Sequence, residues 1–350
     1  MVNTLQKRNY ALDIARIVGI FAVILIHCSF PLLENAPLFS AAFVTGNLCD
    51  GLARVGVPLF LMVSGALFLD ETKEVTLKGI LQKNVKSLAI VTLVWAVVYA
   101  GCFHVLFPLV GGGEIRLRNA VSGVVFGHYH MWYLYMILGL YIITPFLRAF
   151  VRRENKGLVL VFIGLSLLTQ FAKPLLGVMA RWGLGGDVIA SWIDSFCLDF
   201  FSGYVAYYLA GWYIVHVGFP AKCVRYALYA AGALSLVGMV LYVQFTGDYE
   251  TMYCNVNLPV FLYAASVFAA LTAAERCESE TAARWVTGVS KLTFGVYIVH
   301  IFVLTAVEAV LPHLHPIAYV AASFVLTACG SFALAFVISK IPLLKKLIKA

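Results

Sequence analysis

Charge is what this 350-residue chain has least of: Asp, Glu, Lys and Arg make up 12% of it, where a soluble domain carries about 25%. Hydrophobic residues reach 62% and the mean hydropathy is +0.92, more apolar surface than one water-soluble core can hide. A soluble globule is excluded, and the excess must face lipid, where only helices or closed barrels satisfy the backbone. Paired cysteines are missing too. Cys28, Cys49, Cys102, Cys197, Cys223, Cys254, Cys277 and Cys329 are scattered without a C-x-x-C pair, so they read as small packing residues and not as a disulfide frame or metal site. His313 and His315 have no Cys or carboxylate beside them, and no metal is expected.

What is present is a series of apolar runs near twenty residues long, which select helices over strands. The expected fold is all-α and polytopic, with about ten transmembrane helices over 10–32, 40–69, 86–108, 130–150, 157–174, 197–216, 223–245, 256–274, 291–311 and 316–339. The second run is too long for one crossing and contains Gly51, Gly56 and Pro58, so a break near Val55 is expected. Segment 111–129, opened by three glycines, is less apolar and reads as surface-lying or re-entrant. The first run has basic residues before it, as a secretory signal does, but it continues past Arg16 and His27 without a small-x-small cleavage site. The formal net charge of +8 would suggest nucleic acid in a soluble chain. Here it reports orientation: on the ten-span scheme the basic residues gather on one side, leaving only Arg116, Arg118, Lys173 and Arg181 on the other. Both termini are thereby expected to be cytoplasmic, in a multi-pass protein of a cell membrane with no nucleic-acid partner.

A charge near mid-membrane costs at least about 2.5–3.5 kcal/mol, so each one asks for a reason. Asp13 and Arg16 are three apart on one helix face and can pair. His27 follows Arg16 by eleven residues, about three turns, on the same face and about 16 Å away. The alternatives are an Arg16 that snorkels to headgroups and a His27 that merely packs between helices. Counting about 1.5 Å per residue, His27, Arg54 and Glu308 reach similar depths in the outer half, with His130 and Asp199 near the outer ends of their spans, while Arg16, Ser64 and Tyr297 share the inner half. Arg54 and Glu308 are expected either to fix helix register as a buried ion pair or to serve the site. His300, between the layers, reads as a packed core histidine.

These residues carry a resemblance. R-N-Y-A-L-D-I-A-R-I-V-G-I-F-A-V-I-L-I-H (8–27) resembles the first-helix signature of the acyltransferase family 3 membrane proteins. R-V-G-V-P-L-F-L-M-V-S-G (54–65), H-M-W-Y-L-Y-M-I-L-G-L-Y-I-I-T-P (130–145) and K-L-T-F-G-V-Y-I-V-H (291–300) resemble further blocks in the family's order. The resemblance implies a ten-helix membrane domain that moves an acyl group, usually acetyl from acetyl-CoA, to a hydroxyl of an envelope glycan or lipid-linked sugar; here a single such domain is expected over 1–350, without the appended soluble domain that many members carry. Its essential Arg and His fall on Arg16 and His27. Joined to the residue reading, Arg16 is expected to take the phosphate end or upper arm of acyl-CoA, with Asp13, Ser64 and Tyr297 as further donor-site candidates. His27 is expected to act as general base, Arg54 to stabilise the charge developing on the thioester oxygen, and Glu308 or His130 to orient His27. His130, Trp132 and Asp199 are acceptor-side candidates. A covalent acyl-His27 or acyl-Ser64 intermediate, a separate extracytoplasmic partner protein, and a transporter of amino-acid-like molecules on the same fold all stay open.

Overall fold

The computed structural model describes residues 9–73, 76–198, 203–273, 279–312 and 314–348. All regular structure among them is helical. In chain order the helices are α1 (Tyr10–Asn35), α2 (Ala41–Ala53), α3 (Gly56–Phe68), α4 (Leu77–Gly111), α5 (Leu117–Phe126), α6 (Trp132–Phe150), α7 (Arg153–Arg181), α8 (Gly186–Asp194), α9 (Val205–Val217), α10 (Lys222–Thr246), α11 (Leu258–Ala273), α12 (Glu280–Ser290), α13 (Thr293–Val310) and α14 (Pro316–Lys340). Eight helical segments are long and apolar enough to cross a membrane, among them α2 with α3 and α5 with α6 taken as continuous pieces. α9 and α11 are apolar but shorter, and the expectation of ten crossings rests on those two.

The expected break falls between α2 and α3, and its cause is local. Pro58 has no N–H to give the Arg54 carbonyl, and its ring would crowd that oxygen. The ladder therefore lapses at Arg54 and Val55 and resumes where Leu59 donates to Val55 at 2.9 Å. α4 starts nine residues earlier than hydropathy suggests, because its first turns carry Lys78, Lys83 and Lys86 and prolong the helix beyond the apolar run. Segment 111–129 holds a true helix, α5, packed along α4.

Lipid-facing and buried surfaces sort by helical period. On α10, Leu234, Val237, Leu241 and Phe245 are each at least half exposed and lie on one face, as an outward face in hydrocarbon requires. α1 is the opposite case: α2, α3, α11, α12, α13 and α14 all pack on it. Close approach of α3 to α9 depends on two glycines. A Cβ at Gly65 would overlap the Tyr208 carbonyl, and one at Gly211 the Met62 carbonyl, so small residues set this helix spacing. At the end of the bundle where α1 begins, the lower end, Arg148 of α6 closes the turn after α3. It donates to the carbonyls of Phe68, Asp70 and Lys73 at 2.7, 2.9 and 2.7 Å.

Candidate functional site

α1 is started by Asn9, whose side chain accepts from the Ala11 N–H at 3.1 Å. One turn on, Asp13 is 2% exposed, a depth at which a carboxylate needs partners. It has them: Arg16 donates to it at 3.4 Å and Ser290, at the end of α12, donates at 2.7 Å. The Asp13–Arg16 pair expected from spacing therefore forms. Arg16 keeps a third of its side chain accessible, and its charge reaches the hydroxyls of Tyr133 and Tyr141 on α6. Ser64 of α3 lies near the Tyr141 hydroxyl, at the same level.

Tyr297 bridges this level and the next: its ring lies 5.3 Å from that of Tyr133. The Tyr297 hydroxyl donates 2.6 Å to the backbone carbonyl of His130, which places its polar end in a second layer higher in the bundle. That layer is a cluster of imidazoles and phenols. His27 lies 5.2 Å between ring centroids from His300 and 5.5 Å from Tyr129. His300 is 5.3 Å from His130, and His130 is 4.9 Å from Tyr99. The Nδ1 atoms of His128 and His130 approach to 3.2 Å. His130 and His300 are 3% and 0% exposed, while His27 keeps some accessible surface. Buried ring nitrogens usually have partners, yet Nε2 of His130 and Nε2 of His300 have none.

Arg54 lies close enough for its charge to bear on His27. The expected ion pair with Glu308 is not the one observed. Arg54 donates from Nε to Asp50 at 2.6 Å and also pairs through Nη2, one helical turn back in α2. It donates from Nη1 to the Tyr253 carbonyl at 3.2 Å and lies over the Tyr253 ring at 4.9 Å. Asp50 is fully buried with Oδ1 unpartnered. The carboxylate one turn away wins because the helix itself holds it in place. These bonds occupy three of the five guanidinium N–H groups and leave two uncommitted.

Glu308 is exposed near the top of α13, close to Tyr129, Cys28 and Tyr319. Among the described residues no hydrogen bond joins it to His27, and the rings beside His27 are those of His300 and Tyr129. Trp132 is exposed and packs on Tyr204 at 5.6 Å. Asp199 lies outside the described residues. Residues that the sequence reading passed over are Asp50, Tyr99, His128, Tyr129 and Ser290. For Asp50 the signal was available as an i,i+4 acid–base spacing with Arg54. For His128 and Tyr129 it was the run H-Y-H at 128–130.

Among the described residues no group of three or more His, Cys, Asp and Glu is arranged to hold a metal ion. One cavity of about 280 Å³ opens at the lower end between Asn9, Lys222, Arg225 and Thr272, and another of about 350 Å³ lies between Glu71, Arg148 and Glu154. Neither is lined by Arg16 or His27.

Two polar levels thus sit on one buried helix inside an apolar bundle: a guanidinium held by a carboxylate below, and a free imidazole among other imidazoles above. No curated protein and no solved structure matches the chain. A family model described as an acyltransferase domain, that of acyltransferase family 3, matches residues 9–336. With nearly its whole length covered, the chain belongs to acyltransferase family 3 and is a multi-pass membrane protein.

Proposed function

We propose that the protein is an O-acyltransferase of the bacterial cytoplasmic membrane that moves an acetyl group from cytoplasmic acetyl-CoA to a hydroxyl of an envelope glycan or lipid-linked sugar. The observation that carries this reading is the spacing on α1. Arg16 and His27 share a face of one helix, eleven residues or about 16 Å apart, a separation comparable to the pantetheine arm that joins the phosphates of CoA to its thioester.

In this reading Arg16, held by Asp13, takes a CoA phosphate in the fork of its guanidinium, and the Ser64 and Tyr141 hydroxyls flank the arm above it. His27 takes the proton of the acceptor hydroxyl as its oxygen attacks the thioester carbonyl carbon. The C–S bond then breaks, and the leaving thiolate receives that proton from His27, so nothing is consumed beyond the two substrates. A base positioned in this way contributes about 10²–10⁴ in rate. The two uncommitted N–H groups of Arg54 suit the negative charge on the carbonyl oxygen. His27 forms no hydrogen bond among the described residues, and this supports a role in which it meets substrate.

The test is incubation of the protein in native membranes with acetyl-CoA radiolabelled in the acetyl group. Label is expected to enter envelope material with wild type and to fall at least a hundredfold with His27→Ala at equal protein level. Arg16→Lys is expected to raise the acetyl-CoA concentration needed for half-maximal rate. An intact thioester with wild type, or wild-type transfer by His27→Ala, would overturn the proposal.

A further inference from the structure

The fourth family block ends at His300, which the proposed chemistry leaves without a task. His300 is fully buried on α13. Its Nδ1 lies 2.6 Å from the Tyr297 carbonyl oxygen. A carbonyl only accepts, so Nδ1 carries the proton and donates it there. The tautomer is thereby fixed and Nε2 is a bare lone pair, sealed from solvent and without a partner. A buried acceptor of this kind calls for a donor.

Two rings stand near enough to supply one. His130 is tied through its own Nδ1 to His128 and boxed by Tyr99. His27 has no hydrogen bond among the described residues and is only partly buried, so it is the ring free to turn. The cluster supplies its own ruler for whether turning suffices. His128 and His130 have centroids 5.4 Å apart with nitrogens at 3.2 Å. At 5.2 Å between centroids and 39° between planes, His27 and His300 are spaced for a ring N–H···N bond that a modest rotation completes.

We propose that His300 is the positioning residue of His27: its Nε2 accepts a hydrogen bond from one ring N–H of His27, which fixes the tautomer and leaves the other nitrogen bare toward the substrate. A neutral imidazole thus does the work that a carboxylate does in many acid–base pairs. No hydrogen bond joins Glu308 to His27 among the described residues, and the other groups facing His27 are the Arg54 cation at the break after α2, and His128 and Tyr129 before α6. The inference rests on His27 being the base, and the experiment separates the two.

His300→Phe keeps a flat ring and removes the acceptor, while His300→Gln returns an acceptor oxygen near the Nε2 position. Each variant is purified, checked for a monodisperse elution profile, and treated with diethyl pyrocarbonate, with modification of His27 followed by peptide mass spectrometry over a pH series. Acetyl transfer from labelled acetyl-CoA is measured in native membranes in parallel. His300→Phe is expected to slow His27 modification at least fivefold and transfer about a hundredfold, with an unchanged acetyl-CoA requirement, and His300→Gln to stay within about tenfold of wild type in transfer. Wild-type His27 reactivity in His300→Phe, or equal losses in the Phe and Gln variants, would overturn the pairing. If the pairing behaves as stated while His27→Ala still transfers acetyl, the base assignment fails and the pairing stands.

Discussion

Replacing Asp50 tests how the site holds its second cation. Asp50 is fully buried, and the Arg54 side chain is 14% exposed. Removing one member of a buried pair leaves a charge with no counterion, at a cost of about 3–5 kcal/mol. Arg54 would keep its bond to the Tyr253 carbonyl and its place over that ring, and it is partly open to solvent, so the expected loss for Asp50→Leu is near the low end, about 3 kcal/mol. Arg54→Met should be costly as well, because it strands the Asp50 carboxylate, whose Oδ1 is already unpartnered. The double variant removes both charges and fills the space with apolar atoms, an exchange that is often neutral. A double-mutant cycle by equilibrium unfolding in mixed micelles should therefore show a coupling of about 2–3 kcal/mol, with the double variant more stable than the sum of the singles predicts. Additive effects, within about 0.5 kcal/mol, would refute the view that Asp50 is the partner that keeps Arg54 in the bundle.

Further outcomes follow from the same structure. Arg148→Met loses three carbonyl bonds at the lower end of α6 and should cost about 2 kcal/mol, read as faster proteolysis in the turn after α3. In that turn burial raises the Asp70 carboxyl, but the bonds from the Thr72 hydroxyl and N–H, with the His216 and Lys73 charges, outweigh it and hold the group below the ordinary carboxylate value. Its contribution is present above the unfolded pKa and is lost as pH falls through the lower folded value. Acidification from pH 6 to 3 should thus destabilise wild type more than Asp70→Asn, and equal pH slopes would contradict this. Gly65→Ala drives a methyl into the Tyr208 carbonyl and should abolish a monodisperse product, whereas Gly164→Ala, where the space is open, should not.

Much of the architecture was legible in the sequence because lipid makes few exceptions. Among the described residues the apolar runs are helical, and Pro58 announced the break beside Arg54 through the N–H it lacks. Helix ends were less legible: hydropathy sees where lipid stops, not where a helix such as α4 continues on lysines. In the site, the Asp13–Arg16 pair could be read from spacing because both residues lie on one helix. Contacts between helices could not. Depth counting put His27, Arg54 and Glu308 at one level, but rotation about each axis decides who meets, and it turned Arg54 to Asp50, Glu308 to the outside, and His300 toward His27. Tyr297 shows the limit of counting from Cα positions: its phenol spans a layer and bonds His130.

The central claim is that one face of α1 carries acyl-CoA, with Arg16 on its phosphates and His27 at its thioester. An electron cryomicroscopy structure of the protein with bound acetyl-CoA tests this most directly. The account predicts a CoA phosphate on the Arg16 guanidinium and the thioester carbon within about 4 Å of a His27 ring nitrogen. Acetyl-CoA with its thioester ending away from α1, or His27 turned into hydrocarbon, would contradict it.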